Sequence, residues 1–243
     1  MRLLLAAALS LLLAAPAAGA QTAAEIVARY GRVVDPDGRA AALVGVKSTG
    51  TFAMPAQGIQ ATIVSMQARP HRMATVITVP GLGEMRQGFD GTTAWANDPL
   101  QGPRIMMPAE AAGVRDGSDF RTITRDAALF TALELVGEAE LDGERCHRVR
   151  HTWASGRVTT DCYSVATGLM IESQDVQESP QGKIAITVRI SDYRAVGGVL
   201  MPHRMVSQMM GATQEITLTE VTAGALDAAL FELPPAIKAL RDR

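Results

Sequence analysis

This chain of 243 residues has few aromatic side chains and few cysteines, and it has no excess of basic charge. Aromatics make up 4%, there are two cysteines, and 23 Lys and Arg residues are offset by 25 Asp and Glu residues. A nucleic-acid-binding protein would show clustered basic residues, so the composition argues against one. Hydrophobic residues nevertheless reach 47%. That share excludes a disordered, collagen-like or coiled-coil chain. The length of 243 residues fits one large domain or two small ones.

The sequence also lacks the short motifs that mark common catalytic sites. It contains no GxSxG, P-loop, GxGxxG or HExxH pattern, the patterns of nucleophile elbows, nucleotide sites and zinc proteases. His147 and His151 lie four residues apart on a predicted strand, which separates their side chains by about 13 Å. That distance is too long for one metal ion. We therefore expect no enzyme activity, no cofactor and no metal.

The first twenty residues have the pattern of a secretory signal peptide. Arg2 supplies a positive start, residues 3–15 form an apolar run, and small residues at 18–20 give a cleavage pattern. Thirteen apolar residues are too few to cross about 30 Å of hydrocarbon as a helix. We expect cleavage after Ala20 and a single domain over residues 21–243. A periplasmic location is expected by default, with full secretion left open.

No membrane anchor is expected in the mature chain. The region around the cleavage site has no cysteine that a lipid could modify, and no later stretch approaches eighteen consecutive apolar residues. The mature protein is therefore not expected to span a membrane.

Export would place Cys146 and Cys162 in an oxidising compartment. The two cysteines flank a predicted hairpin whose loop has two possible positions. A loop at 154–156 sets them diagonally, at roughly 7–8 Å, which is marginal for a disulfide. A loop at 152–156 makes them face each other, within the roughly 4.4–6.8 Å that a disulfide requires. We expect a disulfide between them, and the register stays open.

The start of the mature chain predicts a helix. Thr22 and Glu25 form a capping-box pattern, and apolar residues recur behind them at helical spacing over 26–34. The helix should end before Pro36, and a second short helix is predicted over 39–43.

From Val44 to about Val221 the pattern changes to short segments separated by turn signals, which predicts strands. Asp90-Gly91 and Asp142-Gly143 are strong hairpin signals, since both central positions of a type I′ turn need positive φ. In the clearest strand, Ile184–Tyr193, apolar and polar residues alternate, so one face is buried and the other is wet.

Two helical insertions accompany these strands. One is predicted over 125–133, and a last turn is predicted over 227–231, where Pro234-Pro235 should stop it. Runs of strands with few helices favour an α+β fold over a parallel α/β fold. The predicted architecture is a curved antiparallel sheet of about eleven strands around helices.

Methionine is unusually frequent, with twelve residues. Its flexible, polarisable side chain suits surfaces that repack around apolar partners. Side-chain alternation places apolar residues on one face of each of three predicted strands. If these faces coincide, they would line a site for long-chain apolar ligands, and the candidate lining residues are Ile186, Val188, Ile190, Met205, Met209, Ile216 and Leu218.

Several stretches resemble the LolA/LolB-like family of periplasmic lipoprotein-sorting proteins. They are KSTGTFAMPAQG (47–58), GEMRQGFDGTTAWANDP (83–99), ATGLMIES (166–173), SDYRAVGGVLMPHRM (191–205) and LFELPP (230–235). The resemblance covers most of residues 22–235. It implies an open half-barrel with helices packed in its concave face, and a hydrophobic cavity that holds acyl chains of lipids or lipoproteins.

The leading hypothesis is therefore a non-enzymatic periplasmic carrier or sensor that binds acyl chains. A transient envelope protein partner is also expected. The alternative is a structural or protein-interaction module of the envelope with the same fold. Neither the identity of the ligand nor the oligomeric state follows from the sequence.

Overall fold

A computed structural model describes residues 21–179 and 182–242. The signal-peptide prediction for residues 1–20 lies outside this range. The described chain forms one antiparallel sheet with α-helices at α1 (Ala23–Val34), α2 (Pro108–Gly117) and α3 (Pro235–Arg241). The first strands are β1 (Gly45–Met54), β2 (Ile59–Ala68), β3 (Arg72–Val79), β4 (Gly83–Phe89), β5 (Ala94–Asp98) and β6 (Gly102–Ile105). The remaining strands are β7 (Phe130–Leu141), β8 (Glu144–Trp153), β9 (Val158–Ser164), β10 (Met170–Ser179), β11 (Gly182–Val196), β12 (Val199–Met209) and β13 (Ala212–Ala223).

The sheet is open. Its strand order is β6-β5-β4-β3-β2-β1-β13-β12-β11-β10-β9-β8-β7, so the first strand, β1, pairs with the last, β13, in the middle of the sheet. The predicted α+β half-barrel is confirmed, with thirteen strands instead of about eleven. No helix among the described residues is long and apolar enough to cross a membrane.

The register brings the three predicted apolar faces together. Ile190 opposes Met205, and Met205 opposes Ile216. Ile216 in turn opposes Phe52 on β1. Opposed residues project to the same side of a sheet, and residues two apart on a strand share that side. All seven candidate lining residues therefore lie on one face of the sheet, which we call the cavity face.

Helix α1 starts at the predicted capping box. The Thr22 hydroxyl accepts a hydrogen bond from the Glu25 backbone N–H at 3.2 Å, and the Glu25 carboxylate accepts one from the Thr22 N–H at 2.8 Å. Both donors would otherwise lack a helical partner. The buried stripe of α1 packs on the cavity face, where it contacts Val149, Tyr163 and Met170.

The helices divide between the two faces of the sheet. Helix α2 packs on the cavity face, where Ala111 joins a cluster with Phe89 and Ala94. Helix α3 covers Trp95 with Ile237. Trp95 opposes Gly88 and belongs to the other face. The concave face thus holds α1 and α2, whereas α3 lies outside it.

One local prediction is wrong, and one helix was not predicted. Residues 125–133 form only a 3₁₀ turn, Ala127–Leu129, before β7 begins at Phe130. The Asp126 carboxylate caps that single turn, and pairing with β8 then takes over from helix propensity. The predicted last turn is present as a 3₁₀ turn, Ala228–Phe231, and it ends before Pro234. Helix α3 was not predicted; Pro235 starts it, which suits proline at a first helical position.

The two hairpin signals lead to different turns. Asp142 and Gly143 have φ of 54° and 83°, and the flanking residues Leu141 and Glu144 pair directly, as a type I′ turn requires. At Asp90-Gly91 the loop is longer, because Phe89 pairs with Ala94. There the Asp90 carboxylate accepts hydrogen bonds from the backbone N–H groups of residues 92 and 93 at 2.8 and 2.7 Å.

Cys146 and Cys162 form a disulfide, as predicted. Cys146 opposes Ser164 and Cys162 opposes Arg148, so the cysteines are diagonal, the register of a loop at 154–156. Their Cα atoms lie 5.5 Å apart, closer than the 7–8 Å expected of a diagonal pair, because strand twist brings one diagonal nearer. The bridge lies on the face away from the cavity.

Replacing both cysteines by serine should lower the free energy of unfolding by about 3 kcal/mol, because the bridge closes a loop of 16 residues in the unfolded chain. Urea unfolding of the double variant and of the oxidised protein measures this difference. Two thiols that alkylate freely in exported protein without reductant would contradict the assignment.

Candidate functional site

A cavity of about 580 Å³ lies between the cavity face and the segment that connects α2 to β7. Its walls come from both halves of the sheet: Phe52, Ile63 and Ile77 on one side, and Met205 and Ile216 on the other. The connecting segment covers part of it with Thr122, Ile123 and Arg125. A second cavity of about 670 Å³ lies between α2 and strands β9 to β11.

The structure brings only part of the predicted lining together. Met205, Ile216 and Leu218 line the first cavity, and Ile186 lines the second. Ile190 packs against the cluster under α1. Val188 and Met209 share the same sheet face but line neither of these two cavities.

The part of the cavity wall that β1 to β4 form was not predicted from the sequence. Phe52, Ile63 and Ile77 are held together by register, since Ile63 opposes Ile77 and Phe52 opposes Ala61. The available signal was the alternation of apolar residues in Ile59–Ala68 and Arg72–Val79. Arg125 gave no such signal, because its place depends on a contact with a strand 36 positions later in the chain.

A row of polar side chains crosses this wall. Ser48, Ser65, Thr75 and Gln87 oppose one another on four successive strands, β1 to β4, and all four line the first cavity. The hydroxyls of Ser65 and Thr75 lie 3.3 Å apart, within hydrogen-bond distance. The cavity is therefore amphipathic, with a polar band beside apolar rows.

A buried polar network holds Arg125 against the opposite wall. Its Nη2 lies 3.0 Å from Oδ2 of Asp161, a carboxylate with no exposed surface. The Ser173 hydroxyl donates to Asp161 at 2.6 Å, and the Tyr163 hydroxyl donates to it at 3.4 Å. Arg125 itself has φ of 53°, a backbone conformation that few residues other than glycine adopt.

His151 belongs to the same network. Its ring is fully buried, its Nε2 lies 3.1 Å from the Tyr163 hydroxyl, and its Nδ1 lies 3.6 Å from Asp161. Burial lowers the pKa of His151 to about 4, although Asp161 acts in the opposite direction. Ser173 donates to Asp161 and not to His151, so these groups do not form a nucleophile–base pair. Their arrangement fixes Arg125 in place.

His151 should make the protein sensitive to acid. The unfolded chain binds a proton on His151 near pH 6.5, whereas the folded chain does so only near pH 4. Folding stability is therefore lost as pH falls through this interval, by at most about 3 kcal/mol. Chemical unfolding across the interval should show this loss in the wild type and a flatter profile in His151→Gln.

His71 is the matched control, because its side chain is about half exposed. His71→Gln leaves the buried His151 ring in place, so it should still lose stability as pH falls from 6.5 to 4. A His151→Gln profile as steep as that of the wild type would show that the buried ring does not cause the loss.

The fold of this chain is similar to those of several solved proteins. Neither a family model nor a curated protein matches the sequence. A LolA superfamily protein from Nitrosomonas europaea superposes with a TM-score of 0.55 at 14% identity, over 88% of this chain and 99% of the other. A proposed outer membrane lipoprotein-sorting protein domain from Vibrio parahaemolyticus gives a TM-score of 0.56 at 11% identity, over 89% and 97%.

A DUF1329 family protein from Desulfovibrio piger also superposes, with a TM-score of 0.50 at 14% identity, over 88% of this chain and 98% of the other. Nearly the whole length of each of these proteins is matched. At such identities the likeness establishes the fold alone. The resemblance predicted from the sequence is confirmed at that level: this chain has the fold of the LolA superfamily and of outer membrane lipoprotein-sorting domains.

Proposed function

We propose that this protein is exported to the periplasm, where it binds acyl chains of lipids or lipoproteins without acting as an enzyme. The observation that carries the proposal is the cavity of about 580 Å³ whose walls are mainly apolar side chains of the sheet. Small-molecule sites are concave, mostly apolar and about 300–1,000 Å³ in volume. The cavity has these properties.

The chemistry of the walls favours a flexible hydrocarbon chain. Phe52, Ile63, Ile77 and Ile216 give continuous apolar surface, and Met205 can adjust to the shape of a ligand. Burial of each methylene of an acyl chain contributes about 0.8 kcal/mol, so a long chain gains affinity from such a surface without specific polar contacts.

Two further observations support export and a carrier role. The first twenty residues have a signal-peptide pattern, and the disulfide suits an oxidising compartment. The fold is that of a proposed lipoprotein-sorting domain. A transient envelope protein partner, from which the ligand is received or to which it is passed, remains part of the proposal.

Met205→Gln should weaken binding of a fluorescent fatty acid roughly tenfold or more. The substitution keeps the length of the side chain but places an amide without a partner against the hydrocarbon, at a cost of about 1–3 kcal/mol. Fluorescence titration of folded protein measures the change.

Met209→Gln is the matched control, since Met209 lies on the same strand and face as Met205 but outside the lining of the cavity. It should bind the probe as the wild type does. Equal affinities for Met205→Gln and wild type would remove Met205 from the site. A wild-type protein that binds no acyl probe would end the carrier proposal in favour of an envelope interaction module.

A further inference from the structure

The cavity contains one charged side chain in a lining that is otherwise neutral. Of the described residues that line it, Arg125 alone carries a formal charge. Its carboxylate partner, Asp161, lies behind it and is not part of the lining. A ligand in the cavity therefore has Arg125, and not Asp161, in its wall.

The contacts of Arg125 leave part of its hydrogen-bonding capacity unused. The two polar contacts of the guanidinium, with Asp161 at 3.0 Å and with the sulfur of Met170 at 3.4 Å, are both made by Nη2. Nε is buried and finds no hydrogen-bond partner among the described residues. A guanidinium has five N–H donors in a planar fork, and a buried donor without a partner costs about 1–3 kcal/mol.

Asp161, in contrast, is well supplied with donors. The hydroxyls of Ser173 and Tyr163 donate to it in addition to its ion pair with Arg125. Asp161 contacts only Nη2 of the guanidinium. Other N–H groups of Arg125 can therefore donate to a second acceptor while Asp161 keeps the side chain in position.

The segment that carries Arg125 also reaches the polar row on the opposite wall. The Gln67 side chain donates to the Gly117 carbonyl at 3.0 Å, which ties the start of the segment to β2. Further along, the Arg125 backbone N–H donates to the Thr122 carbonyl at 3.3 Å. Gln67 is two residues from Ser65 on the same face, so this segment spans from the polar row to the Asp161 wall.

We propose that the cavity selects a single-chain amphiphile with an anionic oxygen headgroup, whose head lies between Arg125 and the polar row and whose chain covers the apolar rows. This inference rests on the proposed function and specifies its ligand class. The apolar rows begin one step from the polar row: Leu218 and Ile63 both oppose Gly50, two residues from Ser48. Head and chain thus have separate surfaces within one cavity.

Headgroup selectivity of the wild-type protein tests this inference without any substitution. Palmitate, hexadecanol and hexadecylamine have the same chain length and differ in the head, and calorimetry gives the affinity of each. Palmitate should bind about tenfold or more tightly than hexadecylamine, with hexadecanol between them, because a charge-assisted hydrogen bond is worth about 1.5–3 kcal/mol. Equal affinities for all three would overturn the inference and leave acyl binding standing. Failure of all three to bind would end both proposals.

Arg125→Gln tests the residue. Palmitate should lose about tenfold in affinity while hexadecanol keeps its own, whereas a merely structural role would lower both equally. Arg121→Gln is the matched control: Arg121 lies in the same segment, is half exposed and pairs with Asp119 outside the cavity lining. It should keep the wild-type ratio. If Arg125→Gln does not fold, Arg125→Gln with Asp161→Asn removes both buried charges and gives the same comparison.

The orientation of the ligand can be read from tryptophan fluorescence. Arg125 stacks 5.3 Å from the ring centroid of Trp153, while Trp95, the other tryptophan, lies on the opposite face of the sheet. Palmitate brominated beside the carboxylate should quench Trp153 more strongly than palmitate brominated at its terminal methyl, in a Trp95→Phe background. The reverse order would overturn the placement of the head at Arg125.

Discussion

The apolar face of a single thirteen-stranded sheet must be covered without a second sheet, and the cavity exists because the available cover is incomplete. Register places Ile190, Met205, Ile216 and Phe52 in one row across the middle of this sheet. Two helices, α1 and α2, pack on that face. Between them the segment before β7 bridges the two walls. A flexible apolar ligand would cover what remains.

The ion pair of Arg125 and Asp161 fixes that bridging segment. A buried ion pair gains little over an apolar contact, because desolvation offsets most of the attraction. Stability alone therefore does not explain a guanidinium at the cavity wall. Its role is clearer if a ligand oxygen completes its hydrogen bonds, while Ser173, Tyr163 and His151 keep Asp161 in place behind it. The ion pair that holds the segment before β7 thus also fixes the position of Arg125 at the cavity.

Short patterns in the sequence correctly predicted the features that depend on interactions between neighbouring residues. The capping box at Thr22 and the turn at Asp142-Gly143 each depend on a few neighbouring residues, and both are present. Alternation identified Met205, Ile216 and Leu218. The sequence could not assign the disulfide register, since a shift in the hairpin loop moves Cys162 from one partner to another. That choice depends on the whole sheet.

Arg125 and the polar row could not be predicted for a related reason. Ser48, Ser65, Thr75 and Gln87 form a band only after four strands align, and each is an ordinary surface residue on its own strand. Helical propensity around Arg125 pointed to a helix, but pairing of β7 with β8 ended it after one turn. Non-local contacts decided both features, and these contacts define the site.

Native mass spectrometry of protein isolated gently, without detergent, from cells that produce it tests the binding of acyl chains most directly. The expected result is a bound species at a stoichiometry near one, which releases a long-chain amphiphile with an acidic head on denaturation. Protein that is free of lipid, and that takes up none when incubated with a periplasmic lipid extract, would contradict a carrier role.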